Sequence, residues 1–187
     1  MNGFGFLRRD DALLVVIDVQ EKFRPVIHQF SRVVKNVRKL AEGFRLLGIP
    51  IVVTEQYPKG LGSIVPEVKE SLGASTPVEK ISFSCFGDES FRNAVKKHGR
   101  KNLVLAGIES HVCVLKTALD ALAQGFAVHV AVDGVSSIRE SDHLIAVERF
   151  KQAGVFLASS EMILFQLLDD AKEPEFKKLS EIVKKYA

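Results

Sequence analysis

The chain alternates between short apolar runs and longer stretches in which apolar residues recur at helical spacing. The run ALLVVID (12–18) has no polar residue before its aspartate, which is typical of a parallel strand covered on both faces. Similar runs predict four further strands, at residues 49–55, 102–108, 126–133 and 155–159. The segment PVEKISF (77–83) predicts a short third strand at the edge of the sheet.

The stretches between the strands carry helical patterns with recognisable ends. In SRVVKNVRKLAEGFRLLG (31–48), apolar residues follow one helix face, Ser31 is a candidate N-cap and Gly48 ends the pattern. Comparable patterns predict helices over 89–99, 112–125 and about 141–153, and two C-terminal helices separated by Pro174. The segment 56–76 is irregular, with one short helix expected around 67–71, and irregular segments of that length are commonly functional.

This alternation of strands and helices, without an internal repeat or a low-complexity linker, predicts one α/β domain over residues 1–187. Right-handed crossovers place helices on both faces of a six-stranded, mostly parallel sheet, which is a three-layer α/β/α, Rossmann-like fold. Ligands of such sheets bind beyond the carboxyl ends of the strands, so the residues at those ends are the first candidates for chemistry.

Composition narrows the class of protein without changing the predicted fold. Apolar residues make up 47% of the 187 residues and charged residues 26%, the balance of a folded globular protein. The net charge is only +3 and the basic residues are scattered, so we expect no nucleic-acid partner. No signal-peptide pattern and no apolar stretch of roughly 20 residues is present, so we expect a cytoplasmic protein that does not contact membranes.

Reactive side chains are predicted at one edge of the sheet. Asp18 and Asp133 end predicted strands, Gln56 lies just past the second, Lys80 lies by the third, and Cys113 follows the fourth. A thiolate is a nucleophile, a nearby ammonium or helix N-terminus lowers the pKa of a thiol, and a carboxylate can take its proton. From the residues alone, roles without chemistry stay open: Cys113 as a buried apolar residue, Lys80 as a surface lysine, and both aspartates as turn caps.

Four ordered motifs carry a resemblance to a known family. They are LLVVIDVQEKF, VVTEQYP, VEKISFSCF and AGIESHVCVLKTALDA. With these motifs the chain resembles the isochorismatase-like cysteine hydrolases, which include nicotinamidases and N-carbamoylsarcosine amidohydrolase, from about residue 12 to residue 161. It is most similar to the subgroup of isochorismatase domain-containing proteins, through TEQYPKGLG, GIESHVCV and SSEM.

The resemblance implies roles for particular residues. Asp18 would be the proton shuttle, Lys80 would stabilise the thiolate and orient the substrate, and Cys113 would be the nucleophile. A cis peptide bond is implied between Ile108 and Glu109, and the amides of Glu109 and Cys113 would form an oxyanion hole. The resemblance also implies the strand order 3-2-1-4-5-6.

Departures from the family pattern narrow the chemistry. Nicotinamidases bind a metal with an aspartate and histidines after the second strand, whereas this chain has Gln56 there and no histidine, so we expect no metal and no cofactor. Isochorismatases proper lack the nucleophilic cysteine, so Cys113 favours a small amide, carbamoyl or related acyl substrate. Five residues flank the triad in sequence and could contact that substrate or belong to the core: Phe23, Gln56, Tyr57, Phe83 and Phe86.

The resemblance further implies a homo-oligomer, in which segment 56–76 closes either its own site or that of a neighbour. The first hypothesis is therefore a metal-independent hydrolase with a covalent intermediate on Cys113. The alternative is a binding or interaction module that keeps the fold and turns over little or nothing. A third possibility is a redox-sensing pair of Cys85 and Cys113, which requires Cα atoms within about 7 Å of each other.

Overall fold

One six-stranded sheet runs through the residues that the computed structural model describes, 4–187. Its strands are β1 (Ala12–Ile17), β2 (Ile51–Gln56), β3 (Val78–Lys80), β4 (Asn102–Ile108), β5 (Ala127–Ser136) and β6 (Phe156–Ala158). Every neighbouring pair is parallel, and the order across the sheet is β3-β2-β1-β4-β5-β6. The predicted α/β class and the implied strand order are therefore confirmed.

Helices cover both faces of the sheet. Within residues 4–187 they are α1 (Phe30–Leu46), α2 (Pro58–Leu61), α3 (Pro66–Leu72), α4 (Glu89–His98), α5 (Leu115–Ala123), α6 (Glu140–Ala153), α7 (Ser160–Gln166) and α8 (Phe176–Lys185). Short 3₁₀ turns occur at Glu21–Phe23 and Cys85–Gly87, and a π-helical turn occurs at Ser110–Val114. None of the helices in this part of the chain is long and apolar enough to cross a membrane.

The central strand β1 separates two apolar cores. Its residues alternate between the faces of the sheet, so Leu14 and Val16 join the core beneath α1, α3, α7 and α8. Leu13, Val15 and Ile17 join the core beneath α4, α5 and α6. All six residues of β1 are buried, and burying one aliphatic side chain contributes about 1.5–3 kcal/mol, so this strand anchors both layers.

Two local predictions are wrong. Ser31 is not the N-cap of α1, because the buried Phe30 already belongs to the helix and Gln29, at a φ of 51°, precedes it. Asp133 does not cap a turn, because β5 continues past it to Ser136. Its carboxylate accepts hydrogen bonds from the amide (2.7 Å) and the hydroxyl (2.6 Å) of Ser160, and so fixes the start of α7 on the sheet.

The segment 56–76 contains two helices, α2 and α3, where one was predicted, and it folds back on its own chain. Ile64 forms an isolated antiparallel bridge with Gln20, and the amide of Val65 donates to the carbonyl of Val19 at 3.0 Å. The Gln20 side chain also donates to the carbonyls of both Gln56 and Gly62. These bonds attach the segment to the residues that follow β1 in the same subunit.

The strands β1 and β4 approach each other closely at Gly107. Its backbone has a φ of 123°, and a Cβ at this position would lie 2.0 Å from the carbonyl oxygen of Ile17. Only glycine therefore fits between the two strands. Because Asp18 follows Ile17 directly, this contact sets the strand spacing at the end of the sheet where the reactive residues were predicted.

The buried histidine of β5 makes the folding stability depend on pH. His129 is 1% exposed and stacks on Phe156, and burial lowers its pKa from 6.5 to about 4. The unfolded chain therefore binds a proton that the folded chain does not, and the stability contribution that is present above pH 6.5 is lost as pH falls toward 4. We expect the difference to amount to about 2–3 kcal/mol between pH 7 and 4.5.

The measurement is urea unfolding of the wild type and His129→Leu at both pH values. Other titrating groups act equally in both proteins, so the free energy of unfolding should fall by about 2–3 kcal/mol more in the wild type. Equal losses in the two proteins would contradict the prediction.

Candidate active site

Asp18, Lys80 and Cys113 meet at the carboxyl edge of the sheet. Lys80 Nζ lies 2.6 Å from Asp18 Oδ2 and 3.7 Å from Cys113 Sγ. Asp18 follows β1 and Cys113 lies in the turn after the neighbouring β4, whereas Lys80 ends β3, two strands from β1. Strands are spaced about 4.8 Å apart, so a lysine is needed to reach from β3 across the end of β2.

The carboxylate of Asp18 is held in one orientation. It accepts hydrogen bonds from the Thr54 hydroxyl at Oδ1 (2.7 Å) and from Lys80 at Oδ2 (2.6 Å). Its backbone adopts a φ of 53°, a left-handed conformation that is uncommon outside glycine and is found where a site enforces it. The side chain therefore does not cap a turn but points into the group of reactive residues.

Lys80 is held by four oxygen acceptors. Besides Asp18, its ammonium donates to the side-chain oxygen of Gln56 (2.7 Å) and to the carbonyls of Ser82 (3.2 Å) and Phe83 (3.4 Å). Burial disfavours the ammonium, but the charge of Asp18 and its hydrogen bond outweigh this and raise the pKa of Lys80. Lys80 is therefore a fixed cation at neutral pH and not a surface lysine.

Cys113 enters the site from the π-helical turn between β4 and α5, with 7% of its surface exposed. Burial, followed by the charge of Asp18, raises the pKa of its thiol to about 12, although Lys80 acts in the opposite direction. The expectation of a lowered thiol pKa is therefore wrong for this resting state. The cation that should stabilise a thiolate is already paired with a carboxylate, so the thiol is neutral and lies beside a base.

The turn that carries Cys113 starts at an unusual peptide bond. The bond between Ile108 and Glu109 is cis, at the position that the resemblance implied. The carbonyl of Glu109 then accepts hydrogen bonds from the amides of Val112 and Val114, both at 3.1 Å, which closes the turn. The role of the Glu109 and Cys113 amides as an oxyanion hole stays a prediction.

The aromatic candidates differ in environment. Tyr57 and Phe83 are about half exposed, and Tyr57 lines a cavity of about 480 Å³ that also touches Lys80. Phe83 lies under the ammonium of Lys116, 5.6 Å from its ring centre. Phe23 is partly buried against the core. Tyr57 and Phe83 are thus the candidates that present a ring to solvent near the triad.

Two other candidates have internal partners. Phe86 is buried, and its ring packs 5.1 Å from that of Phe91 and 5.6 Å from that of Phe126, so it belongs to the core, and a contact with substrate stays a prediction. Gln56 binds Lys80 through its amide oxygen and the carbonyl of Ile81 through its amide nitrogen (2.7 Å). Gln56 therefore orients the lysine.

Sequence reasoning missed Thr54. It pairs with Ile17 in the parallel register of β1 and β2, which brings its hydroxyl to the carboxylate of Asp18. Its hydroxyl also lies 4.0 Å from the thiol of Cys85, which is fully buried and whose pKa burial raises to about 12. Only the strand register could have indicated Thr54, and a pattern of apolar runs does not fix register.

Among residues 4–187, no group of three or more histidine, cysteine, aspartate or glutamate side chains is arranged to hold a metal ion. Both cysteines are free thiols. The absence of a metal requirement stays a prediction.

Comparisons with known proteins identify the family of the chain. Residues 12–162 match the isochorismatase domain. Isochorismatase domain-containing protein 2 of Danio rerio is 44% identical over 186 residues, which are 98% of this chain and 92% of that protein. The structure of the MAR1 ribonuclease from Caenorhabditis elegans is 40% identical, with a TM-score of 0.90 over 95% of this chain and 92% of that one. The fold is that of a hydrolase family, and the chain belongs to the isochorismatase family.

Family membership does not fix where the protein acts. The secreted isochorismatase effector Isc1 of Phytophthora sojae (strain P6497) is 39% identical over 186 residues, which are 97% of this chain and 89% of that protein. The sequence identity of this relative, which is named as secreted, is close to that of the Danio rerio protein. The cytoplasmic location of this chain therefore stays a prediction.

The two charges of the site should have opposite effects on the pKa of the Cys113 thiol. Asp18→Asn removes the negative charge that raises the pKa of Cys113, and Lys80→Met removes the cation that lowers it. We expect the apparent pKa for iodoacetamide labelling of Cys113 to fall by about one unit or more in Asp18→Asn and to rise in Lys80→Met. Peptide mass spectrometry at a series of pH values measures both pKa shifts at Cys113. Shifts of the same sign in both variants would disprove this electrostatic account.

Proposed function

We propose that the protein is a metal-independent cysteine hydrolase that acts on a small amide, carbamoyl or related acyl substrate. The observation that carries the proposal is the contact of three groups: Lys80 Nζ at 2.6 Å from Asp18 Oδ2 and at 3.7 Å from Cys113 Sγ. These groups supply a nucleophile, a base and a cation within reach of one reacting atom. We also propose that residues 1–187 form one catalytic domain.

In the first half of the reaction, Cys113 Sγ attacks the substrate carbonyl carbon while Asp18 takes the thiol proton. The raised pKa of the thiol means that this proton leaves as the new C–S bond forms, and Lys80 offsets the charge that develops. The amides of Glu109 and Cys113 stabilise the oxyanion of the tetrahedral intermediate. The C–N bond then breaks, Asp18 gives its proton to the leaving nitrogen, and a thioester remains on Cys113.

In the second half, water attacks the thioester carbonyl and Asp18 takes a proton from that water. The C–S bond breaks, the acid product leaves, and Asp18 returns the proton to Cys113 Sγ. The net reaction consumes one water and releases an amine or ammonia and an acid. Lys80 keeps its charge throughout, which agrees with its raised pKa.

Two features support a small substrate and a reaction without a metal. Only 7% of the Cys113 surface is exposed, so a substrate must present a small acyl group to reach the sulfur. At the end of β2, where nicotinamidases carry a metal-binding aspartate, this chain has Gln56, whose amide binds Lys80 and the carbonyl of Ile81.

The first experiment is a panel of primary carboxamides and N-carbamoyl compounds assayed for ammonia release. We expect the wild type to turn over at least one of them and Cys113→Ala to lose at least about a thousandfold in rate, because the covalent route is removed. Mass spectrometry of the acid-quenched protein should show an acyl adduct on the peptide of Cys113. The matched control, Cys85→Ala, should still form that adduct.

The other outcomes distinguish the alternatives. Tight binding of panel compounds without turnover or adduct would favour the binding module. Because one relative is named a ribonuclease, an oligoribonucleotide belongs in the panel. Cleavage of RNA that persists in Cys113→Ala would contradict the proposed nucleophile.

We further propose that the chain forms a homo-oligomer. Large apolar side chains are exposed at the start of α6, where Leu144 is 57% and Ile145 is 62% exposed, with Ile138 just before the helix. Such side chains in one stretch are typical of an interface.

Light scattering after size exclusion should give at least twice the mass of one chain for the wild type. The double variant Leu144→Glu and Ile145→Glu should give the mass of a single chain, because charges would be buried in the contact. Met162→Glu, at an equally exposed apolar position on α7, is the control and should not change the mass. A wild type with the mass of one chain would contradict the proposal.

A further inference from the structure

The turn that carries Cys113 is attached by its side chains to the segment that follows β5. The carboxylate of Glu109 accepts a hydrogen bond from the amide of Ile138 at 2.9 Å. The ring nitrogen Nδ1 of His111 lies 2.9 Å from the hydroxyl of Ser137. Two residues at the start of the turn thus bind two neighbouring residues of the next connection.

Ser110, which lies between Glu109 and His111 in sequence, makes a third and more deeply buried contact. Ser110 Oγ is 3.0 Å from His143 Nδ1 on α6, and Ser110 is fully buried while His143 is 8% exposed. Burial, followed by the charges of Arg32 and His28, lowers the pKa of His143, so its ring is neutral at pH 7. A neutral imidazole has one donor and one acceptor nitrogen, which suits a hydroxyl partner.

These contacts begin where the sheet ends. The last paired residues of β4 and β5 are Ile108 and Ser136, so no strand partner holds the chain between residue 108 and Cys113. The receiving segment is itself fixed, since the Ser136 hydroxyl donates to the carbonyl of His28 (2.6 Å) and the His28 amide donates to the carbonyl of Ser137 (2.9 Å). Side-chain bonds therefore replace the backbone ladder on the way to the nucleophile.

We propose that three hydrogen bonds position Cys113 for reaction. They join residues 109–111 to Ser137, Ile138 and His143 and form a side-chain clamp, in which Ser110 and His143 are the central pair. This inference rests on the proposed function of Cys113. Neither residue touches the sulfur in this arrangement. They act by keeping Cys113 Sγ buried beside Lys80 and Asp18, so they are positioning residues.

Loss of the clamp should change the labelling of Cys113 and the rate of turnover in opposite directions. Without Ser110 or His143 the turn loosens, and the thiol moves toward solvent and away from Asp18. Both changes lower the pKa of Cys113, so iodoacetamide labelling at pH 8 should become faster by about threefold or more. The value of kcat should fall about tenfold or more, with KM changed less than about threefold, because misplacement of a reacting group mainly affects the chemical step.

The test compares Ser110→Ala, His143→Leu and His143→Asn with the wild type. The asparagine places a polar atom near the position of Nδ1, so it should recover most of kcat and slow labelling again. Ser71→Ala is the matched control, since Ser71 is an equally buried serine that binds Arg38 on the far side of the molecule. It should lower thermal stability without changing the labelling of Cys113. If His143→Leu does not fold, His111→Ala at a half-buried position gives the same readout.

The results separate this proposal from the proposed function. Unchanged labelling and kcat in Ser110→Ala and His143→Leu, with only a lower melting temperature, would overturn the clamp while leaving the hydrolase intact. A wild type that hydrolyses nothing, with labelling still accelerated in the variants, would reject the hydrolase and retain the clamp as a device that positions a thiol. Equal kcat for His143→Asn and His143→Leu would also count against the hydrogen bond.

Discussion

The buried ion pair between Lys80 and Asp18 is the interaction on which the arrangement of this edge of the sheet depends. Both groups are almost completely buried, and either charge alone would be strongly disfavoured there. Removing one partner of such a pair typically costs about 3–5 kcal/mol, because the other is left buried and uncompensated. The pair also joins β1 to β3 across the end of β2, so it fixes the relative positions of three strand ends.

Together with burial, the same pair determines the protonation state of the Cys113 thiol. A lysine without a carboxylate would favour a thiolate, whereas a lysine already neutralised by Asp18 leaves the thiol protonated until a substrate arrives. A neutral thiol in a nearly closed site is also less exposed to oxidants and adventitious electrophiles than a permanent thiolate. The arrangement thus favours proton transfer at the moment of attack over a constantly ionised nucleophile.

The sequence allowed much of this structure to be predicted, because apolar runs and glycine or proline positions report directly on strands and their ends. The meeting of Asp18 and Cys113 followed from family motifs and the strand order that they implied. Thr54 could not be predicted, since its role depends on register, and Asp133 was assigned to a turn because its partner is distant in sequence. The sign of the thiol pKa shift was also missed, because it depends first on how deeply the sulfur is buried and then on the balance of the charges of Asp18 and Lys80.

The glycine between β1 and β4 has a consequence for anyone who alters this scaffold. A side chain at position 107 would meet the backbone of Ile17 whatever its polarity, so the position is closed to exchange for reasons unrelated to substrate. Asp18 and the nucleophile turn lie immediately beyond this contact, on the two strands that it holds together. Libraries that aim at new specificity should therefore leave residue 107 unchanged and vary the exposed ring of Phe83 before that of Tyr57, whose backbone has a φ of 38°.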